Sequence, residues 1–324
     1  MNILSQSLTL VVPCYNEQDA LPETIKELTS LKNKLLNKGL INGKSKILFI
    51  DDGSSDKTWE IIEKNHALDN TIIGIKLSTN FGHQNALLAG LLNVETDFCI
   101  SLDADLQDDL NIIEKMLLKH KEGAEIVYAK RSSRETDTFL KRITAEYYYK
   151  TLRNIGINII ENHADFRLMS KKALNILSEF KENNIFLRGI IPQIGLSTAI
   201  VEYERQSRNA GVSKYNIRKM FALALNGITS FSSAPLHTIF IIGVTISTSS
   251  ILMALWALIV KLTSDNAIPG WASTVIPIYF IGGIQLLSIG VLGIYISKIF
   301  DETKKRPRYI IEKETEQHKN EYNK

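Results

Sequence analysis

Cysteine is almost missing from this chain: Cys14 and Cys99 are the only two in 324 residues, and both sit in apolar runs. Two such thiols cannot build a disulfide framework or a cysteine-rich zinc site, and buried free thiols in a reducing compartment fit instead. The six histidines are scattered, so spacing points to no histidine metal cluster. Net charge is small, with 38 basic against 35 acidic side chains, which excludes nucleic acid as the main partner. A cleavable leader is not expected, because Met1 to Gln6 has no basic flank and the apolar run Leu8 to Val12 is short. No Gly-x-Gly-x-x-Gly follows the first strand-like run, so a dinucleotide-binding unit loses support. Gly39 to Ser45 approaches a phosphate loop, but it is one residue short between its glycines and precedes its strand. It reads as a surface turn.

What is present is an alternation. The runs Thr9 to Cys14, Ser45 to Ile50, Ile72 to Leu77 and Asp97 to Leu102 are short, apolar and strand-like. Helical patterns follow each of them, over Leu21 to Leu36, Asp56 to about His66, Gln84 to Leu92 and Leu110 to Leu118. Strands and helices alternating at this spacing predict an α/β domain with a parallel, right-handed sheet. In open sheets of that kind ligands bind beyond the carboxyl ends of the strands. The polar clusters Tyr15 to Asp19, Asp51 to Asp56, Ser78 to His83 and Asp103 to Asp109 all fall at such ends. Glu125 to Arg131 reads as a further strand with a basic end.

Asp103 and Asp105 are two residues apart, so on an extended chain their carboxylates converge on one object. A hard divalent cation that also carries phosphate oxygens suits such a pair, and Gln107 offers a neutral oxygen nearby. Asp108 and Asp109 read as charges at the start of the next helix. Asp165 and Arg167 lie between apolar residues in His163 to Met169, where an unpaired charge is costly. Either they pair with each other or neighbours, or they face the site. Glu204 to Tyr215 carries Arg205, Arg208 and Lys214 around Gly211. Such a loop serves as a basic linker to anionic lipid or as a grip on phosphate.

Leu236 to Val260 and Ala272 to Ser297 contain no charged residue, and each is long enough to cross a bilayer as a helix. Arg218 and Lys219 precede the first, and Lys298, Lys304, Lys305, Arg306 and Arg308 follow the second. The positive-inside rule then predicts both termini in the cytoplasm and a short external loop. The expected organisation is a cytoplasmic domain over 1–215, a juxtamembrane helix over 216–235, two spans over 236–298 and a basic tail over 299–324.

Six stretches resemble, in order, the motifs of glycosyltransferase family 2: Val12 to Glu17, Asp51 to Asp56, Asn80 to Gln84, Asp103 to Gln107, Ala164 to Leu168 and Arg208 to Tyr215. The branch they look like is that of polyprenyl-phosphate glycosyltransferases, including bactoprenol glucosyltransferases and dolichol-phosphate mannose synthases. One departure is Asp109-Leu110, where that branch often carries two prolines. The resemblance implies a GT-A, Rossmann-like fold with a mostly parallel sheet, in which Pro13, Tyr15, Asn16, Glu17, Asp51 and Asp52 hold the nucleoside. It implies that Asp103, Ala104 and Arg131 meet the rest of the donor, and that Asp103, Asp105 and Gln107 hold Mg²⁺ or Mn²⁺. Asp165, Arg208 and Lys214 are the catalytic candidates it implies.

The reaction it implies is inverting transfer of one sugar from a nucleotide sugar to a polyprenyl phosphate at the inner membrane. UDP-glucose is favoured and UDP-N-acetylglucosamine comes next. Self-association through the membrane helices is compatible with this reading. Two other readings compete, a non-catalytic membrane-anchored binding or scaffold protein and a relative of processive polysaccharide synthases. The second normally needs more spans and a Gln-x-x-Arg-Trp sequence, which is absent.

Overall fold

The computed structural model describes residues 6–131, 163–183, 185–203, 234–263 and 271–315. Contacts divide the chain into two units, one of 1–150, 158–214 and 306–324, the other of 151–157 and 215–305.

The first unit is built on an eight-stranded sheet. Its strands are β1 (Leu8–Cys14), β2 (Lys46–Asp51), β3 (Ile72–Leu77), β4 (Phe98–Ser101), β5 (Ile126–Arg131), β6 (His163–Ser170), β7 (Thr198–Tyr203) and β8 (Ile311–Glu314). Across the sheet they run β7-β5-β6-β4-β1-β2-β3-β8. β1 pairs in parallel with β2 and β4, β2 with β3, and β5 with β7. β6 runs antiparallel between β4 and β5, and β8 antiparallel to β3. The central strand β1 is buried at every residue, so its run of Leu, Val and Thr needs no polar face.

Helices α1 (Leu21–Asn37), α2 (Thr58–Leu68), α3 (His83–Leu92), α4 (Ile112–Lys121), α5 (Lys171–Glu179) and α6 (Leu187–Gln193) connect these strands. Leu21, Ile25, Leu28 and Leu35 of α1 recur at helical spacing and are buried. Helix α3 lies close on the sheet: a Cβ at Gly90 would come 2.5 Å from the side chains of Val11 and Ile50.

The expected strands and helices of the first half are present with small shifts at their ends, and the sheet is mostly parallel as expected, with β6 and β8 antiparallel. His163–Ser170 is a strand that the sequence reading did not assign. Polar and apolar residues alternate from His163 to Leu168 as they do along a strand, but both faces are enclosed, Asp165 and Arg167 being buried along with Phe166 and Leu168. β7 and β8 are also additions, both at sheet edges and both carrying charge that conceals them in the sequence. Cys14 and Cys99 are buried free thiols, and burial pushes the Cys99 thiol up to about 12.

The second unit contains two long helices, α7 (Ala234–Thr263) and α8 (Trp271–Thr303). Large apolar side chains such as Phe240, Trp256, Phe280 and Leu286 are exposed on them. Among the described residues, Phe280–Thr303 is the one stretch with the length and mean hydropathy of a membrane span. The segment 299–324, read as a basic tail, begins inside α8 and goes on to form β8.

Candidate active site

Four loops leave the same end of the sheet, and hydrogen bonds tie the first three into one wall. After β1 the chain turns at Asn16, a left-handed residue with φ 54°, a conformation that asparagine tolerates better than most. Its backbone N–H donates to Ser54 Oγ at 2.9 Å, and its Oδ1 accepts from the Ser55 N–H at 2.9 Å. Gly53 allows the next join, having φ 67° and an absent Cβ that would fall 2.4 Å from the Thr79 carbonyl carbon. Asp52 completes it by accepting from the Phe81 and Gly82 N–H groups at 2.8 and 2.9 Å.

These joins enclose a cleft of about 340 Å³, lined on its acidic side by Glu17, Asp52, Asp103 and Asp105, with Pro13, Tyr15, Ala104 and His83 around them. Tyr15 is half-exposed, as an aromatic platform for a planar ring would be. Burial, together with the neighbouring Asp105 and Asp56, raises the Glu17 carboxyl above its ordinary value. Burial also raises Asp103; His83 works against that, and Asp165, Asp105 and Asp108 add to it. The cleft therefore gathers more carboxylates than its own cations neutralise.

The Asp103 turn is not extended. β4 ends at Ser101, and Leu106 is left-handed with φ 44°. Asp105 is exposed, and Gln107 Nε2 donates to its Oδ2 at 2.6 Å. Asp108 departs from the capping reading, because it is buried and receives the hydroxyl of Tyr203 from β7. Asp109 does serve the helix start, accepting from the Asn111 N–H at 2.9 Å.

Beside the cleft lies a cluster centred on Asp165. Ser101 of β4 faces Arg167 of β6, which carries Asp165 to the same end of the sheet as Asp103. Its carboxylate pairs with the fully buried Arg167. It also accepts from Arg188 Nε at 3.2 Å and Nη2 at 3.1 Å, and lies 3.3 Å from His83 Nε2. The same histidine nitrogen is 3.8 Å from Asp103 Oδ1 and so bridges cluster and cleft. Burial alone would raise the Asp165 carboxyl, but the hydrogen bond from His83 and the charges of Arg167 and Arg188 hold it well below the usual carboxylate range.

Comparison with known proteins places this architecture. The sequence model described as "Glycosyl transferase family 2" matches residues 9–177. The chain belongs to glycosyltransferase family 2. A relative from Bacillus subtilis (strain 168), described as "Uncharacterized glycosyltransferase YkoT", is 48% identical over 94% of this chain and 91% of its own. The bactoprenol glucosyl transferase of Shigella phage SfX is 42% identical over 94% of this chain and 98% of its own. Among solved structures, glucosyl-3-phosphoglycerate synthase from Mycobacterium tuberculosis, in complex with Mn²⁺, UDP and phosphoglyceric acid, is 17% identical. It covers 68% of this chain and 75% of its own, with a TM-score of 0.42.

The family 2 glycosyltransferase has a GT-A type α/β fold, and its cleft unites Pro13, Tyr15, Glu17, Asp52, Asp103, Ala104 and Asp105. Asn16 and Asp51 stand apart. Asn16 braces the loops, while the Asp51 carboxyl is wholly buried, with Oδ1 accepting from the Ser54 N–H at 3.0 Å and Oδ2 without a partner among the described residues. Arg131 ends β5, paired with Tyr203 of β7. Arg208 and Lys214 lie outside the described residues. Sequence reasoning passed over His83, Gln84 and Arg188. The first two stood inside a quoted motif, whereas Arg188 sits in an apolar stretch with no spacing signal.

Proposed function

We propose that this glycosyltransferase moves one sugar from a nucleotide sugar to a polyprenyl phosphate, with inversion at the anomeric carbon. The observation that carries the reading is the carboxylate-rich cleft in which Asp103 and Asp105 stand beside Tyr15, Glu17 and Asp52. The relative named bactoprenol glucosyl transferase, aligned along nearly all of both chains, supports a polyprenyl acceptor and favours UDP-glucose over UDP-N-acetylglucosamine. In this reading Tyr15, Glu17 and Asp52, with Pro13, bind the nucleoside. Asn16 and Asp51 act from behind by holding the loops.

Asp103 and Asp105 suit Mg²⁺ or Mn²⁺. Among the described residues, no group of three or more His, Cys, Asp or Glu could hold an ion unaided. Two carboxylates completed by diphosphate oxygens and water is the arrangement such hard cations favour. Gln107 sets the Asp105 carboxylate through its hydrogen bond. When bound, the ion supplies positive charge to the departing diphosphate. Ala104 and Arg131 lie along the donor, and Arg208 and Lys214 meet phosphate.

The acceptor needs little help to lose its proton, because a phosphate monoester with a second pKa near ~6 is largely dianionic at neutral pH. Asp165, saturated by cationic partners, is therefore a positioning residue and not a base. The protein resides in the cytoplasmic membrane through the regions 236–260 and 272–297, with the sheet domain and both termini in the cytoplasm, and it self-associates through those helices. The test is to incubate membranes containing it with labelled nucleotide sugars and undecaprenyl phosphate. A glucosylated lipid that disappears on chelation is expected, and release of free sugar alone would overturn the acceptor.

A further inference from the structure

The acidic side of the cleft suits a donor whose charge is shared with a cation, but it repels a second phosphate. The cationic cluster at its rim does not. Two arginines and a histidine meet the single carboxylate of Asp165. Arg167 is fully buried and answers that charge from within the sheet. Arg188 is different: its side chain is 41% exposed while the carboxylate it grips is 6% exposed.

Arg188 meets Asp165 through Nε and Nη2 in a fork, and a guanidinium held that way has its plane fixed. The backbone beneath it is fixed as well. The Leu187 N–H donates to Gln84 Oε1 at 3.1 Å, so α6 is tied to the first turn of α3. That turn also carries His83, which lines the cleft. A chain that needed only to neutralise Asp165 had Arg167 for the purpose. A second, half-exposed arginine oriented by the same carboxylate is built to meet an anion from outside.

We propose that Arg188 is the guanidinium that receives the phosphate of the acceptor, with Asp165 and Gln84 as its positioning residues. This rests on the transfer reaction proposed above. The shared chemistry is a phosphate monoester, on a lipid or free in solution. In the reading above the donor sits against Asp103 and Asp105, whereas Arg188 is held by Asp165, so a defect at Arg188 falls first on the acceptor.

Arg188→Lys keeps the charge and removes the fork, which makes it the sharper variant, and Arg188→Ala removes both. Losing charged hydrogen bonds of this kind weakens binding by about tenfold or more. The expected result is an acceptor KM raised about tenfold in Arg188→Lys and further in Arg188→Ala, with donor KM and thermal midpoint of the lysine variant near those of the wild type. Geranyl phosphate, whose short chain dissolves in water, gives a binding readout independent of turnover. Calorimetry should register it on the wild type and at least tenfold weaker on Arg188→Lys. Inorganic phosphate tests whether the ester or the bare ion suffices, and geraniol whether phosphate matters at all.

Equal loss for donor and acceptor, or unchanged geranyl phosphate binding in Arg188→Lys, would overturn the assignment. If the wild type makes no lipid-linked sugar yet binds geranyl phosphate through Arg188, the transfer reading fails and the phosphate site stands.

Discussion

Asp165 shows how burial and charge together decide what one carboxylate can do. Its folded value is depressed, so the ionised form contributes stability above the unfolded value near ~3.9, and that contribution fades as pH falls below it. Replacing it by Asn leaves Arg167 enclosed without its counter-charge, a loss of about 3–5 kcal/mol for a buried pair. Urea unfolding at neutral pH should record that loss for Asp165→Asn, and the gap to the wild type should narrow below about pH 4. Once folded, the variant should still transfer sugar. Activity as low as that of Asp105→Ala, with donor binding intact, would make Asp165 the base after all.

Among the elements, the loops after β2 and β3 are held together by a contact that only glycine permits. Gly53→Ala would drive a Cβ into the Thr79 backbone and strain a positive φ, at a cost of about 1–3 kcal/mol. Since Thr79 leads to the two N–H groups held by Asp52, donor affinity should fall along with stability. Titration with UDP and urea unfolding should record both losses. The sequence makes β1 to β5 and their helices legible because apolar runs and turn clusters alternate there. It obscures β6, where Asp165 and Arg167 put charge on a face that is buried, and it hides Arg188, whose importance comes from a partner 23 residues away. The aspartates were legible as a pair by chemistry, although a left-handed turn, and not an extended strand, sets their geometry.

For the whole molecule, the sheet is finished by residues from beyond the last helix. Besides pairing with β3, this segment accepts the Ser78 N–H on Ile310 O at 2.9 Å, and its Arg308 Nη1 donates to Phe180 O at 2.7 Å. Ending the chain at Lys305 would bare the β3 edge, a ready template for wrong pairing. The shortened protein should aggregate in detergent at concentrations where the full chain stays dispersed, as size-exclusion profiles would reveal.

Tyr203 closes one strand and Ile311 opens another in a single sheet, which has a consequence for topology. A folded sheet occupies one side of a bilayer, so the chain that departs at 203 and returns by 311 can pierce it only an even number of times. If Phe280–Thr303 crosses, parity obliges another crossing between 204 and 279, and if α7 makes it a cysteine placed between 264 and 270 should react with an impermeant maleimide from outside the cell. Return to the sheet thus constrains the membrane path without reference to hydropathy.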